Sequence, residues 1–584
     1  MKKWIALLLC LCMMTALCPA FAEDEPAAEK AEHQIEERTL PLYLETTDAK
    51  DETFYIVDGV EGIVWVDLEA WTPTYLYLLS MEGMDSGMQL TGNADGEIYT
   101  WTRENGAVMG FDFEGDSIAF NDYDQYTAKS YSASIVDMLS LDNTDAEGRP
   151  YVFQRQPEKS YDRPGGVKIF ELAPYGIQLI HQDGKYLVPL STLTDIGLSP
   201  KVGVSFVYNG QAVFLYSKDL FGTPDNLTPL SELYYSAEPR ERTEAEAEFG
   251  YGELCMVLDN FYGLKDIHQI SSFDELFRNL GVVEALKSPD TGLADIALSA
   301  IISLYLADAH SNFLMPSWMT PKDSDHKILR EERTINRMRD FGMLYATTRH
   351  EYYPDGVPGY EEVGNTAFIT FDTFIASLYT NMSVYDIPED QLEQYAPTDN
   401  IALISYAHRQ ITRENSPIEN VVIDLSCNAG GQADAAIFVI AWFLGEAEVA
   451  LQDHNTGGLS AAVYKADINL DRAFDEKDLL TGKNLYCLIS PISFSCGNLV
   501  PAAFKNSHKV TLIGQQSGGG SCAVGIGTTA WGAAFQMSSS HNLSVFKNGS
   551  LYDIDQGIAP DHYLSKPSSF YDRTKLAGII NAMD

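Results

Sequence analysis

The stretch Ser490-Pro-Ile-Ser-Phe-Ser-Cys-Gly-Asn498 decides the fold of the C-terminal part of this chain. The apolar run Leu485 to Ile489 precedes it and predicts a buried strand, and a helical pattern follows from about Leu499. A hydroxyl group on such a turn lies near a helix N-terminus, where backbone N–H groups have no intrahelical acceptor. A nucleophilic serine and the N–H donors for an oxyanion can therefore share this turn.

A second junction of the same kind occurs earlier in the chain. Val421-Val-Ile-Asp-Leu-Ser-Cys-Asn-Ala-Gly-Gly431 has the pattern of a strand, a glycine turn and the start of a helix. Two such junctions in one domain can supply the nucleophile from one turn and an oxyanion N–H from the other.

Strand and helix patterns alternate from Thr366 to the C-terminus, which predicts an α/β domain with largely parallel pairing. The predicted strands are Ala367–Phe371, Val421–Leu425, Leu485–Ile489 and Val510–Gly514, with helices over 401–413 and 434–444 and a further strand near 537–546.

The chain of 584 residues is too long for one hydrophobic core, so we expect several domains. The predicted segments are a signal peptide at 1–22, an acidic linker at 23–42, a β-rich repeat domain at 43–235, a helical subdomain at 240–350 and an α/β core at 351–584.

Charge and the N-terminus indicate where the protein works. The formal net charge of −44 disfavours binding to nucleic acid or to anionic membrane surfaces. Lys2 and Lys3, the apolar run from Trp4 to Leu17 and the cleavage site Ala20-Phe21-Ala22 form a secretory signal. No later segment has the ~20 uninterrupted apolar residues that span a bilayer. We expect a secreted protein, either free or associated with the cell wall, with no integral membrane segment after cleavage.

The β-rich segment 43–235 contains a weak internal repeat. One copy includes Gly62-Ile-Val-Trp-Val-Asp-Leu68 and the other Gly184-Lys-Tyr-Leu-Val-Pro-Leu190, and each ends in a predicted hairpin. The second copy resembles the small β-α-β-β modules of extracellular bacterial proteins of the copper amine oxidase N-terminal-like type. No catalytic group stands out here, so binding or spacing is the expected role.

Five segments together resemble the C-terminal processing (tail-specific) serine peptidases, and they follow the order of that family's motifs. They are Leu306-Ala-Asp-Ala-His-Ser311 (family pattern L-x-D-x-H-S), Asp424-Leu-Ser-Cys-Asn-Ala-Gly-Gly431 (D-L-R-x-N-P-G-G), Ser493-Phe-Ser-Cys-Gly-Asn498 (S-x-S-x-x-E), Val510-Thr-Leu-Ile-Gly-Gln-Gln-Ser-Gly-Gly-Gly520 (V-G-x-x-T-x-G-K-G) and Gln556-Gly-Ile-Ala-Pro-Asp561 (G-V-x-P-D).

The resemblance implies a crotonase/protease-like β-β-α spiral core without a PDZ domain. It implies Ser495 as the nucleophile, with oxyanion donors from Cys496 and from Gly430 or Gly431. The general-base lysine of the family falls at Gly520, so this chain departs from the family there.

The tricorn-type branch of the same family uses a histidine instead of the lysine, and His310 matches its position. A serine needs such a base because its own pKa is far above neutral. In that branch an acidic residue near the last motif orients the histidine, which leaves Asp555 or Asp553 as the third group. Structural roles are the alternatives: His310 could cap a helix or fill the core, and Asp308 and Asp561 could hold turns.

The eight cysteines include three in the signal segment, which leaves an odd number in the mature chain. A disulfide between Cys496 and Cys522 is one expectation, because their loops would meet. Two buried free thiols are the alternative.

The stretch Asp467-Ile-Asn-Leu-Asp-Arg-Ala-Phe-Asp-Glu-Lys-Asp478 has the spacing of a calcium-binding loop. The expected ligands of a structural calcium ion are Asp467, Asn469, Asp471, the Ala473 carbonyl, Asp475 and Asp478. Arg472 replaces the usual glycine at loop position 6, and a solvated acidic loop is the alternative. No other cofactor is expected.

The sequence therefore predicts a secreted serine endopeptidase with a peptide or protein substrate, a Ser495 nucleophile and a His310 base. One alternative is a catalytically inactive peptide- or cell-wall-binding protein on the same scaffold. Another is a carbohydrate or cell-wall adhesin built on the N-terminal modules. The sequence does not indicate the oligomeric state.

Overall fold

The structure is a computed structural model that describes residues 32–80, 89–128, 134–199, 203–223, 226–306, 308–321, 337–547 and 549–583. The predicted signal peptide at 1–22 lies outside the described residues.

A six-stranded sheet organises the C-terminal half. Its first pair of strands is antiparallel and the four further pairings are parallel. The strand order is Tyr360–Val363, Thr366–Thr370, Asn420–Asp424, Asn484–Ile489, Thr511–Gly514 and His562–Tyr563. The predicted α/β class with largely parallel pairing is confirmed.

Helices cover both faces of this parallel sheet, which explains why its strands are continuously apolar. Val421 and Ile423 face one helical layer, whereas Val422 faces the other, as the two-residue period of a strand requires. The helices of the first layer are Asn400–Thr412, Ala433–Leu444 and Cys496–Ser507. Those of the second are Arg337–Tyr352, Ser568–Tyr571 and Arg573–Ile580.

A second, antiparallel sheet of seven strands contains strands from both halves of the chain. Strands Phe153–Arg155 and Tyr161–Arg163 pair with Leu459–Ala466. The other strands of this sheet are Asn312–Met315, Ala447–Asp453, Cys522–Thr528 and Ala534–Ser544. The predicted β-rich domain at 43–235 is therefore not a separate body, because its residues 153–163 complete a sheet of the C-terminal half.

The N-terminal half also forms a seven-stranded and a five-stranded sheet. The first has the order Ile180–Gln182, Lys185–Pro189, Trp65–Asp67, Lys50–Val57, Ile35–Tyr43, Val213–Tyr216 and Ser205–Tyr208. The second has the order Lys168–Glu171, Ser117–Phe120, Val108–Asp112, Ile98–Arg103 and Leu90–Asp95.

Two predictions for this half need correction. The predicted linker at 23–42 contains most of the strand Ile35–Tyr43, which pairs along its length with Lys50–Val57. The strands of the two predicted repeat copies, Trp65–Asp67 and Lys185–Pro189, pair with each other. The two segments therefore share one sheet instead of forming two separate modules.

The predicted helical subdomain begins with Glu244–Phe261, which Thr243 and Glu246 start with a capping box. The strand Asn312–Met315 interrupts this region and carries it into the antiparallel sheet. The other helices here are Phe273–Leu280, Val283–Leu286, Thr291–Ala300 and the π-helix Ile301–Leu306.

The remaining elements are short or lie at the edges of the sheets. The helices are Leu68–Ser80, Tyr123–Thr127, Leu190–Gly197, Lys218–Phe221, Pro229–Tyr234, Ser377–Thr380 and Leu392–Tyr395. The 3₁₀ turns are Ile135–Leu139, Pro157–Lys159, Ala173–Tyr175, Val384–Asp386, Glu389–Gln391 and Glu476–Asp478. Two hairpins are formed by Gly222–Thr223 with Asn226–Leu227 and by Phe546–Lys547 with Ser550–Leu551. Within the described ranges, no helix is both long enough and apolar enough to cross a bilayer.

Candidate active site

Ser495 occupies the sharp turn between strand Asn484–Ile489 and helix Cys496–Ser507. It is the residue before the first helical turn, with φ 57° and ψ −124°. A positive φ is rare for a residue other than glycine and costs on the order of 1–3 kcal/mol. The backbone N–H of Ser495 donates to the Gly519 carbonyl at 2.9 Å. Tertiary contacts therefore hold this serine in a strained conformation.

The diglycine turn lies directly against this serine. A Cβ atom on Gly430 would lie 2.7 Å from the Cβ of Ser495 and 3.1 Å from its Oγ. The φ angles of Gly430 and Gly431, 107° and 133°, also favour glycine. The two junctions that the sequence singles out thus meet at one point.

Side chains of the two junctions hold them together. Ser493 Oγ donates to the Leu425 carbonyl at 2.7 Å, and the Phe494 N–H donates to the Asn428 carbonyl at 3.1 Å. Beneath them, Asp424 accepts from the buried Arg573 guanidinium at 2.6 Å and from the Ser426 N–H at 2.9 Å. The sequence reasoning did not identify Asn428, Asp424 or Arg573 as positioning residues.

The N–H groups of the turns differ in availability. The Gly430 N–H donates to Asn428 Oδ1 at 2.9 Å, so it is already engaged. The N–H groups of Gly431 and Cys496 have no acceptor among the described residues. Of the expected oxyanion donors, Gly431 and Cys496 are the pair that this geometry leaves available.

His310 lies beside the serine turn but is not bonded to Ser495. Its ring is buried, with its centroid 4.6 Å from that of Phe494, the residue before Ser495. No hydrogen bond links His310 to Ser495 within the described part of the chain, and the buried Nδ1 has no partner there. Burial lowers the pKa of His310 to about 4, although the nearby Asp308 carboxylate opposes that shift.

Asp308 holds the turn that carries His310. Its Oδ1 accepts from the His310 N–H at 3.0 Å and from Ser538 Oγ at 2.8 Å. Its Oδ2 accepts from Ser311 Oγ at 2.6 Å and from the Tyr262 hydroxyl at 3.0 Å. These bonds support the structural alternative for Asp308.

The candidate third groups accept hydrogen bonds from backbone N–H groups. Asp555 Oδ1 accepts from the Ser521 N–H at 3.1 Å, and Asp553 Oδ1 accepts from the Asp555 N–H at 2.9 Å. Burial raises the pKa of Asp555. Across the described residues, neither carboxylate bonds to His310, so both act here as loop-bracing groups.

Phe494 fills the place where the family lysine would begin. A Cβ on Gly520, whose φ is 85°, would lie 2.4 Å from the Phe494 ring. The glycine at position 520 therefore leaves room for the Phe494 ring, which contacts His310.

A cavity of about 290 Å³ opens next to the serine turn. Its apolar wall includes Leu264, Ile267 and Phe494, and its polar wall includes Asp308 and Asp555. This arrangement can accept a mainly apolar side chain with one donor group.

The predicted disulfide between Cys496 and Cys522 is not formed, because both are free thiols. The Cys522 thiol donates to Asn542 Oδ1 at 3.1 Å. Cys496 is buried in the helical layer that packs on the parallel sheet, and this burial raises its pKa to about 12. The alternative of buried thiols describes both residues.

The side-chain oxygens of the predicted calcium loop accept hydrogen bonds from the backbone of the same loop. Asp467 Oδ2 accepts from the Arg472 N–H at 2.7 Å, and Asp478 Oδ1 accepts from the Ile468 N–H at 2.8 Å. The other expected side-chain ligands also accept from backbone N–H groups. Asn469 accepts from Asp471, Asp471 from Ala473 and Asp475 from Lys477. Among the described residues, no three carboxylates of this loop lie within ligand distance of one another. In this conformation the loop oxygens accept from backbone N–H groups, and calcium binding stays a prediction.

Comparison with known proteins finds one family model that matches the part of the chain containing this site. Residues 402–564 match the model of peptidase family S41. The match includes Ser495 and the diglycine turn and ends before the last helix. No curated protein matches the sequence.

The solved structures that match the chain do so with low sequence identity and low TM-scores. The photosystem II D1 C-terminal processing protease is 16% identical over 35% of this chain and 42% of its own, with a TM-score of 0.25. A lipoprotein from Streptococcus agalactiae is 16% identical over 58% and 96%, with a TM-score of 0.33. The tricorn protease is 11% identical over 85% and 59%, with a TM-score of 0.31. The chain thus spans less than two thirds of the processing protease and of the tricorn protease.

Proposed function

We propose that this chain is a serine peptidase of family S41, a secreted endopeptidase in which Ser495 attacks the peptide carbonyl and His310 is the general base. The observation that carries the proposal is the contact between Ser495 and Gly430, where an added Cβ would lie 2.7 Å from the serine Cβ. A hydroxyl against a glycine turn with unengaged N–H groups is the arrangement that acyl transfer requires.

In the proposed reaction, the Ser495 hydroxyl loses its proton to the His310 imidazole as its oxygen bonds to the carbonyl carbon. The N–H groups of Gly431 and Cys496 would stabilise the resulting oxyanion. The imidazolium then protonates the leaving amine, and a water molecule hydrolyses the acyl-enzyme by the same route.

The state of His310 supports this assignment in one respect and limits it in another. With a pKa of about 4 the imidazole is neutral at pH 7 and can accept a proton. The imidazole lies against the Phe494 ring, and no hydrogen bond joins it to Ser495 among the residues described, so we propose that these groups move to bring it to the serine hydroxyl. We propose that substrate binding in the adjoining cavity displaces this ring.

We also propose the β-β-α spiral for the core and secretion through the 1–22 signal.

The test is labelling with a fluorophosphonate probe together with hydrolysis of a peptide library. Wild type should label and cleave, whereas Ser495→Ala should do neither. Ser507→Ala is the matched control, because Ser507 lies at the other end of the same helix and bonds only to local backbone groups. Equal labelling of wild type and Ser495→Ala would refute the assignment of the nucleophile.

The alternative is a protein of the same scaffold that binds peptides without cleaving them. The observation that favours it is His310 buried against Phe494, with the family lysine replaced by Gly520. A chain that binds library peptides but neither labels nor cleaves would establish this alternative.

A further inference from the structure

A second cluster of ionisable side chains lies away from the serine turn, inside the protein. Asp124, Asp453 and His541 are 6%, 0% and 1% exposed. One ligand atom from each lies within 4.8 Å of the other two. Buried carboxylates require compensating charge, because removing them from water costs several kcal/mol each.

The backbone fixes two of the three groups. Asp453 and His541 are direct partners in the antiparallel pairing of strands Ala447–Asp453 and Ala534–Ser544, so their side chains lie on the same face of the sheet. His541 Nε2 lies 3.2 Å from Asp453 Oδ2.

Asp124 approaches from the N-terminal half, on the short helix Tyr123–Thr127. Its Oδ2 accepts from Thr456 Oγ1 at 2.6 Å. Two glycines leave room for this carboxylate, since a Cβ on Gly165 or Gly458 would lie 2.6 or 2.8 Å from the same oxygen. The carboxylate is therefore held at a fixed position beside the Asp453–His541 pair.

The imidazole gives the second, independent observation. Neither ring nitrogen of the fully buried His541 has a hydrogen-bond partner in the described part of the chain. Buried polar groups are nearly always bonded, so an imidazole beside two carboxylates without a hydrogen bond is a group that a bound cation would satisfy. Lys168 is a neighbouring cation that interacts electrostatically with Asp453, and its ammonium also donates to Asn260 Oδ1 at 3.1 Å.

We propose that Asp124, Asp453 and His541 bind a divalent transition-metal ion, for which zinc is the ion to test. One imidazole nitrogen and two carboxylate oxygens are ligands that Zn²⁺ and Mn²⁺ both accept. The complete burial of the ligands makes the site structural: the ion ties the helix Tyr123–Thr127 to two strands of the antiparallel sheet. This proposal does not rest on the peptidase mechanism.

In the test, the full chain is first treated with a chelator, then loaded with excess Zn²⁺ and freed of unbound metal. Its zinc content and melting temperature are then measured. Wild type should retain about one zinc per chain and melt at a higher temperature with zinc than without it. His541→Gln and Asp124→Asn should each weaken zinc binding by more than about tenfold and show no zinc-dependent rise. His181→Gln is the matched control, because His181 pairs with Glu97 at a more exposed position.

Loading with Co²⁺ gives a readout that needs no variant. A visible spectrum typical of nitrogen and oxygen ligands supports the site, whereas a strong thiolate charge-transfer band would assign the metal to cysteines and overturn it. Wild type without bound zinc, or both variants binding zinc as wild type does, would also overturn it. Fluorophosphonate labelling of Ser495 is independent of all these outcomes.

Discussion

Replacing Gly430 by alanine tests the geometry on which the proposed activity depends. The added Cβ would lie 2.7 Å from the Cβ of Ser495 and 3.0 Å from the Phe494 carbonyl oxygen. Carbon atoms in contact prefer about 3.5–4.0 Å, so the serine or the glycine turn must move by about 1 Å. A misplacement of that size costs about 100-fold in rate. The φ of 107° adds backbone strain on the order of 1–3 kcal/mol.

We therefore expect Gly430→Ala to label with a fluorophosphonate at least about 100-fold more slowly than wild type. Its free energy of unfolding should fall by about 1–3 kcal/mol, which leaves a folded protein to assay. Gly578→Ala is the control: Gly578 lies in helix Arg573–Ile580, where an added Cβ has no heavy atom within 4 Å. It should label normally and gain up to ~1 kcal/mol of stability. A folded Gly430→Ala protein that labels at the wild-type rate would show that the contact between Gly430 and Ser495 does not position the nucleophile.

Four further predictions concern the surroundings of the serine turn. The imidazole of His310 acts as a base only when neutral, and its pKa is about 4, so kcat/KM should stay level down to about pH 5 and fall near pH 4. A fall centred near pH 6.5 would contradict the burial of the ring. The same shift makes the unfolded chain bind more protons between pH 6.5 and 4, so wild type should lose about 3 kcal/mol of stability relative to His310→Gln between pH 7 and 4, measured by urea unfolding. Gly520→Lys should not raise activity and should lower the melting temperature, because the new Cβ would lie 2.4 Å from the Phe494 ring; a gain in cleavage would show that the lysine can be accommodated. Arg573→Met should cost about 3–5 kcal/mol of stability, because it leaves the Asp424 carboxylate buried without its cation. The double variant with Asp424→Leu should recover most of that loss. Equal stability of the single and double variants would argue against an ion pair here.

The parallel sheet was predictable because each of its central strands is buried on both faces. The apolar runs at Val421 and Leu485 end in small-residue turns, and this local pattern located both junctions of the site. Their meeting at Gly430 and Ser495 follows from the shared carboxyl edge of adjacent parallel strands.

Contacts between distant segments were not predictable in the same way. Nothing in the local pattern around residues 153–163 indicates a partner at Leu459–Ala466, because strand pairing over such separations depends on the whole topology. The placement of Phe494 against His310 likewise depends on the absence of a side chain at Gly520. Asn428 did have a signal in the sequence, since it stands two residues before the diglycine turn, where amide side chains commonly bond their own backbone.

The pairing of Phe153–Arg155 and Tyr161–Arg163 with Leu459–Ala466 has a consequence for any attempt to dissect this protein. A fragment that starts after residue 235 would leave one side of the Leu459–Ala466 strand without its two partners. Unpaired strand edges of this kind recruit other chains, so such a fragment should self-associate into aggregates instead of behaving as a free-standing peptidase unit.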